Sequence, residues 1–262
     1  MIVSLKGKNA LVGGSSRGIG LAISQQLAES GASVTVMARS ETTLKKIVSQ
    51  MPLNEIGQRH KYLVVDFSNF DSYKKVIEEY FRSNKVDILV NNTQGPKAGT
   101  PMEKDITAYQ EAFDVLFKSV VYTTQLALEH MKTKQWGRII NVASVSVKEP
   151  LSYLVLSNTI RAAVVAWAKS LATEAGPFNI TVNSILTGYF DTERLTELNQ
   201  KKAEQQKIPV SEVKEHMKAQ VPLKRLGEPE EYGYLVAFLA SEQASYITGS
   251  NIPIDGGLLR SF

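Results

Sequence analysis

Asn9-Ala10-Leu11-Val12-Gly13-Gly14-Ser15-Ser16-Arg17-Gly18-Ile19-Gly20 is the stretch on which the fold turns. A short strand candidate, Asn9–Val12, runs straight into a glycine cluster, and the pattern behind it predicts a helix near 19–30. Glycine at 14 permits a tight turn, while glycines at 18 and 20 let backbone approach a pyrophosphate and let the helix pack on the sheet. The free N–H groups of that helix start then face the anion. A glycine-rich turn alone is common; between a strand and a helix at the start of a chain it reads as a dinucleotide site.

Outward from that turn, short runs rich in Val, Ile and Leu recur without strict alternation. They are Ser33–Met37, Lys61–Val65, Val86–Val90, Arg138–Val142, Thr181–Ile185 and Asn251–Ile254. Strands buried on both faces of a parallel sheet have this composition. Helical patterns lie between them, near 41–50, 69–83, 105–132, 158–175 and 228–240. Gly31 closes the first helix, and Pro229 stands in the first turn of the last, positions that suit those residues. The alternation predicts one α/β domain over 1–262, a doubly wound parallel sheet of about seven strands with helices on both faces, a Rossmann fold. The polar stretch Thr187–Val221, between the sixth strand and the last helix, is placed to be a substrate lid over the crevice at the strand ends.

Bulk properties narrow the function. The 262 residues are 43% hydrophobic and carry a net charge of +4. Lysine pairs such as Lys45-Lys46 are scattered and lack interleaved aromatics, so no nucleic-acid partner is expected, although mild basicity favours a phosphorylated ligand. Cysteine is absent, which removes disulfides, thiolate chemistry and Cys-based metal sites. His60, His130 and His216 stand at unrelated spacings, and no metal is expected. Met1–Lys8 has no long apolar core and no apolar run reaches about 18 residues. The expectation is a cytoplasmic protein without a membrane partner.

The spacing Gly14-x-x-x-Gly18-x-Gly20 resembles the short-chain dehydrogenase/reductase family, and later segments extend the resemblance over almost the whole chain. Asn91-Asn92-Thr93 resembles the family's Asn-Asn-Ala-Gly, although Gln94 stands where glycine is usual. Gly137-Arg138-Ile139-Ile140-Asn141-Val142 is similar to its fifth strand; Gly227-Glu228-Pro229-Glu230-Glu231 and Ile254-Asp255-Gly256-Gly257 look like its C-terminal segments. The resemblance is closest to 3-oxoacyl carrier-protein reductases. It implies that Gly14, Ser16, Arg17, Gly18, Ile19 and Gly20 cradle the cofactor, with Asp66 and Phe67 at the adenine and Asn92 beside the turn. Thr192 resembles the residue at the nicotinamide carboxamide. An NAD site puts a carboxylate at the tip of the second strand. Here that tip reads Met37-Ala38-Arg39-Ser40. Arg39 and Arg17 are placed to hold a 2′-phosphate, which points to NADP(H); the plainer alternative is two solvated loop arginines.

The family's chemistry uses Ser, Tyr, Lys and Asn. Ser144 matches the serine, but the Tyr position falls on Ser157, the Lys position on Arg161 and the Asn position on Leu116. None of the ten tyrosines has a lysine four residues on, so no shifted alignment restores the motif. A serine hydroxyl is a far weaker acid than tyrosine, whose reference pKa is about 10. Arg161 keeps a permanent cation that can hold ribose hydroxyls but cannot deprotonate. Tyr153, one turn before Ser157 if the helix extends there, is available as a displaced acid whose tyrosinate Arg161 would favour; otherwise it lines a pocket. Tyr189 and Phe190 join Tyr153 in an aromatic substrate pocket, or pack the lid. Two functions stay open. One is an NADP(H)-dependent oxidoreductase acting on a small-molecule carbonyl or alcohol with a non-standard catalytic site. The other is a non-catalytic NADP(H)-binding sensor or partner subunit. The family resemblance implies a dimer or tetramer formed through the last helices and C-terminal strand.

Overall fold

The structure is a computed structural model that describes residues 3–261, apart from the side chain of Gln205; Met1 and Ile2, the start of the segment read for a leader, and Phe262 lie outside them. Seven strands, β1 (Asn9–Val12), β2 (Ser33–Ala38), β3 (Lys61–Val64), β4 (Ile88–Asn91), β5 (Gly137–Val142), β6 (Ile180–Thr187) and β7 (Asn251–Ile254), form one sheet. Their order is β3-β2-β1-β4-β5-β6-β7, and every pairing is parallel. Successive strand residues feed opposite cores. In β4, Ile88 and Val90 join one buried cluster and Leu89 the other. That is why the inner strands lack polar alternation: neither of their faces meets water.

Helices α1 (Gly18–Glu29), α2 (Glu41–Gln50) and α9 (Pro229–Ala240) cover one face. The helices α3 (Phe70–Ser83), α5 (Ser119–Lys134) and α6 (Val155–Ala175) cover the other. Strand order reverses between β1 and β4, which opens a crevice at their C-terminal ends, the usual ligand position in such sheets. The helical pattern over 105–132 proves to be α4 (Ile106–Phe113) and α5 joined by a π-helical turn, Asp114–Lys118, that carries Leu116 inward. The helix expected from 158 begins three residues earlier, at Val155. Thr187–Val221 contains two helices, α7 (Glu193–Gln206) and α8 (Val210–Gln220), hinged at Lys207 with φ of 54°. No helix among the described residues is long and apolar enough to cross a membrane.

The start of α9 is held by a charged fork. Arg225 donates two 2.7 Å hydrogen bonds to Glu231 and the Glu228 N–H adds a third, which together hold the Glu231 carboxyl down to about 2. The unfolded value is near ~4.3. The contribution is therefore present above that pH and disappears as pH falls towards 2. We expect Glu231→Gln to lower stability by at most about 1 kcal/mol at pH 7, because the pair is half-exposed. Urea melts at pH 7 and pH 2 should show that difference closing.

Candidate functional site

The glycine turn leaves β1 and enters α1 at the crevice. Gly18 takes φ of +54°, left-handed backbone that favours glycine, and Thr192 from the far side of the crevice lies against it. At Gly20 the constraint is proximity: a Cβ would stand 2.2 Å from the Gly14 carbonyl oxygen. Asn92 Nδ2 donates to the carbonyls of Gly13 and Gly14, at 3.0 and 3.3 Å. Its amide holds the turn in shape, a role the sequence reading did not assign. No acidic residue lies in the first turn of α1 and no side chain caps it. Its N–H groups therefore face the crevice, and the cradle fits a pyrophosphate.

The two arginines behave differently. Arg39 is exposed and shares a cavity of about 290 Å³ with Asp66. The Asp66 carboxyl is held below its ordinary value by the Ser68 hydroxyl and N–H, which both bond Oδ1, with Arg39 a smaller influence. Its Oδ2 stays available to a donor. Phe67 is buried against Tyr73, ring centroids 5.0 Å apart, so its side chain is core. Arg17 instead reaches α7, with 3.0 Å to Glu197 and 3.6 Å to Glu193. Thr192 Oγ1 accepts the Leu195 N–H and caps that helix.

At the end of β5, Ser144 continues the extended chain and caps a short 3₁₀ turn. The Ser146 N–H and hydroxyl both donate to Ser144 Oγ, at 3.1 and 2.9 Å. With Oγ accepting twice, its own proton is directed away from that turn. Leu116 is buried in an apolar cluster with Ala112, Leu156 and Ile160. Ser157 lies half-buried in the first turn of α6.

Arg161 turns towards the sheet: its guanidinium reaches the β5 end and donates to the Val142 carbonyl, with the neutral Tyr232 phenol as its neighbour. Tyr232, on α9, is wholly buried and bonds Thr187 Oγ1 at 3.0 Å. Tyr153 lies in the turn before α6, where its carbonyl accepts the Gly99 N–H at 2.7 Å, and partial burial raises its pKa with no opposing help from Arg161. The tyrosinate that Arg161 was expected to favour is therefore not favoured. Burial, with a smaller influence from Tyr153, pushes the Tyr189 phenol up to about 12. Phe190 packs edge-on against Tyr232 at 5.4 Å and, with Tyr189, lines a cavity of about 160 Å³. Thr187 and Tyr232 gave no sequence signal, because their meeting joins β6 to a helix 45 residues later.

The family described as enoyl-(acyl carrier protein) reductase matches residues 14–259. Relatives over the full length are also named as reductases. A 3-oxoacyl-[acyl-carrier-protein] reductase of Aquifex aeolicus is 33% identical over 98% of this chain and 100% of its own length. The chain belongs to the short-chain dehydrogenase/reductase family. Another member, the NADPH-dependent reductase BacG of Bacillus subtilis, is 29% identical over 97% of this chain and 98% of its own. L-Sorbose reductase from Gluconobacter frateurii, solved with NADPH and L-sorbose, superposes with a TM-score of 0.92 at 30% identity over 100% of both chains.

Proposed function

We propose that the chain is an NADP(H)-dependent oxidoreductase acting on a small-molecule carbonyl or alcohol, with a non-standard proton donor. One observation carries the reading: a complete dinucleotide turn opens onto a crevice where Ser144 has a hydroxyl proton free to donate. NADPH, when bound, supplies hydride to the carbonyl carbon. The protein's part is then positional. Ser144 donates to the carbonyl oxygen, Thr192 meets the carboxamide and residues 187–221 close over the site. Tyr153, kept neutral by burial, is the available acid. Exposed Tyr234 and Tyr246 around α9 accord with a dimer or tetramer.

Titrating the protein with NADPH and NADH by fluorescence tests the first step. Saturable NADPH binding, with weaker NADH, is the expected result; binding of neither removes the reading. Arg39→Asp should weaken NADPH at least about 10-fold, the loss of one charge-assisted contact, and leave NADH within about twofold. Equal loss of both would disprove the 2′-phosphate assignment. Tyr153→Phe should lower kcat at least about 100-fold, the usual contribution of a general acid, with NADPH affinity intact; full retention of kcat would mean another group donates.

A second reading has its own support. The buried Leu116 cluster leaves no polar anchor for a relay water, as suits a non-catalytic NADP(H)-binding subunit. Tight NADPH binding without turnover of any carbonyl would favour it.

A further inference from the structure

Two arginines of this chain are drawn off the surface, and the protein treats them oppositely. Arg138, with no exposed surface, has Glu242 at 3.4 Å and donates to the carbonyls of Gly137, Asn179 and Ser241 at 2.9, 3.2 and 3.4 Å. Its charge is balanced and its fork is occupied, as a buried guanidinium requires. Arg161 has a single protein acceptor, the Val142 carbonyl. Among the described residues no carboxylate lies within ion-pair distance of it, and the Tyr232 phenol beside it is kept protonated by burial. Burial holds the pKa of both guanidinium groups below the ordinary value, and the difference between them is the carboxylate beside Arg138. The carboxylates nearest this part of the chain are engaged elsewhere. Asp191 pairs with Lys214, Glu149 accepts the N–H groups of Arg260 and Ser261, and Asp255 accepts those of Gly257 and Leu259. A half-buried cation with most of its donors free, at the ligand end of a sheet, is a site for an anion.

We propose that Arg161 anchors a substrate carboxylate, so that the site takes a free oxo acid in preference to its ester, thioester or amide. The inference rests on the reading of this crevice as a carbonyl-handling site and adds the substrate's charge to it. Spacing supports it. Arg161 is fixed at Val142, and Ser144 stands two residues further along extended chain, roughly 6.6 Å away. A carboxylate on the guanidinium and a carbonyl oxygen on the Ser144 hydroxyl, each through one hydrogen bond, span about that distance when separated by one or two carbons. Tyr153, just before α6, and Tyr189, just after β6, supply the remaining wall, with Lys202 Nζ 6.0 Å over the Tyr153 ring. That wall suits an apolar or aromatic group beyond the oxo function and a cationic approach to it. A planar fork binds a carboxylate bidentately, which a lysine at this position does not do.

The test separates charge recognition from turnover. Calorimetric titration with 3-phenylpropanoate and with 3-phenylpropanamide, which match in shape and differ in charge, is run with and without NADP⁺. The acid should bind at least 10-fold tighter than the amide. Arg161→Gln should abolish that difference and Arg161→Lys should keep only part of it, with circular dichroism confirming that each variant folds. In turnover, 4-oxo-4-phenylbutanoate should exceed its ethyl ester at least 10-fold in kcat/KM, through KM. Equal binding of acid and amide, binding of neither, or an unchanged preference in Arg161→Gln would overturn the proposal. Loss of NADPH binding in the wild type would instead defeat the oxidoreductase reading. The acid–amide comparison on the cofactor-free protein would still decide the role of Arg161.

Discussion

Gly20→Ala is expected to abolish useful dinucleotide binding while the protein still folds. The added Cβ would lie 2.2 Å from the Gly14 carbonyl oxygen, 2.8 Å from its carbon and 2.7 Å from Asn92 Nδ2. Two of these are backbone atoms that no rotamer change can move. Either the turn or the start of α1 must shift, and Asn92 loses its hold on the Gly13 and Gly14 carbonyls. The N–H groups that meet the pyrophosphate shift with them. Displacement of about 1 Å at a preorganised site costs on the order of 100-fold, so NADPH and NADH affinity should fall together by at least that factor. Overpacking should also cost about 1–3 kcal/mol of stability. Fluorescence titration reads the affinity and circular dichroism confirms the fold. An unchanged NADPH affinity would show that the turn is not the phosphate cradle.

Asp87→Ala should give the largest loss of stability of the variants considered, far from the crevice. Asp87 lies at the opposite end of the sheet and has no exposed surface. Its carboxylate accepts the Asn9 N–H at 2.8 Å and Lys134 Nζ, and His130 Nε2 lies 3.2 Å away. Removing it leaves a strand N–H and an ammonium without their acceptor. Breaking such a buried pair from one side costs about 3–5 kcal/mol, and Tm should fall by roughly 10 °C. Asp87→Asn keeps one acceptor oxygen and should cost about half as much. Thermal melts followed by circular dichroism decide it; a Tm within a few degrees of the wild type would mean that water replaces the carboxylate without penalty. NADPH affinity at 25 °C should be unaffected in either variant.

The fold was legible because its determinants are local or periodic. Seven apolar runs match the seven strands within a few residues, and β4 begins two residues later than its run. The break in the 105–132 helix was not legible. A π-helical turn leaves the apolar spacing nearly unchanged, and the residues that draw Leu116 inward, Leu156 and Ile160, lie some forty positions away on α6. In the site, the glycine turn could be read residue by residue. That Phe190 packs edge-on against Tyr232 could not be read, because hydrophobicity does not say which wall an aromatic faces. The partners of Arg17, Asn92 and Arg161 were also out of reach.

The sequence by itself determined a doubly wound sheet, a glycine-rich turn between β1 and α1, and an arginine instead of a carboxylate at the tip of β2. Periodicity and backbone conformational preference are short-range properties, so a single stretch of chain states them. The tertiary structure alone decided that Asn92 braces the turn, that Arg17 pairs with Glu193 and Glu197, and that Tyr232 faces Arg161. These are interactions of charge and hydrogen bonding between residues 71 to 180 positions apart. Their strength depends on distance and on what else is buried nearby, and only the folded chain sets either.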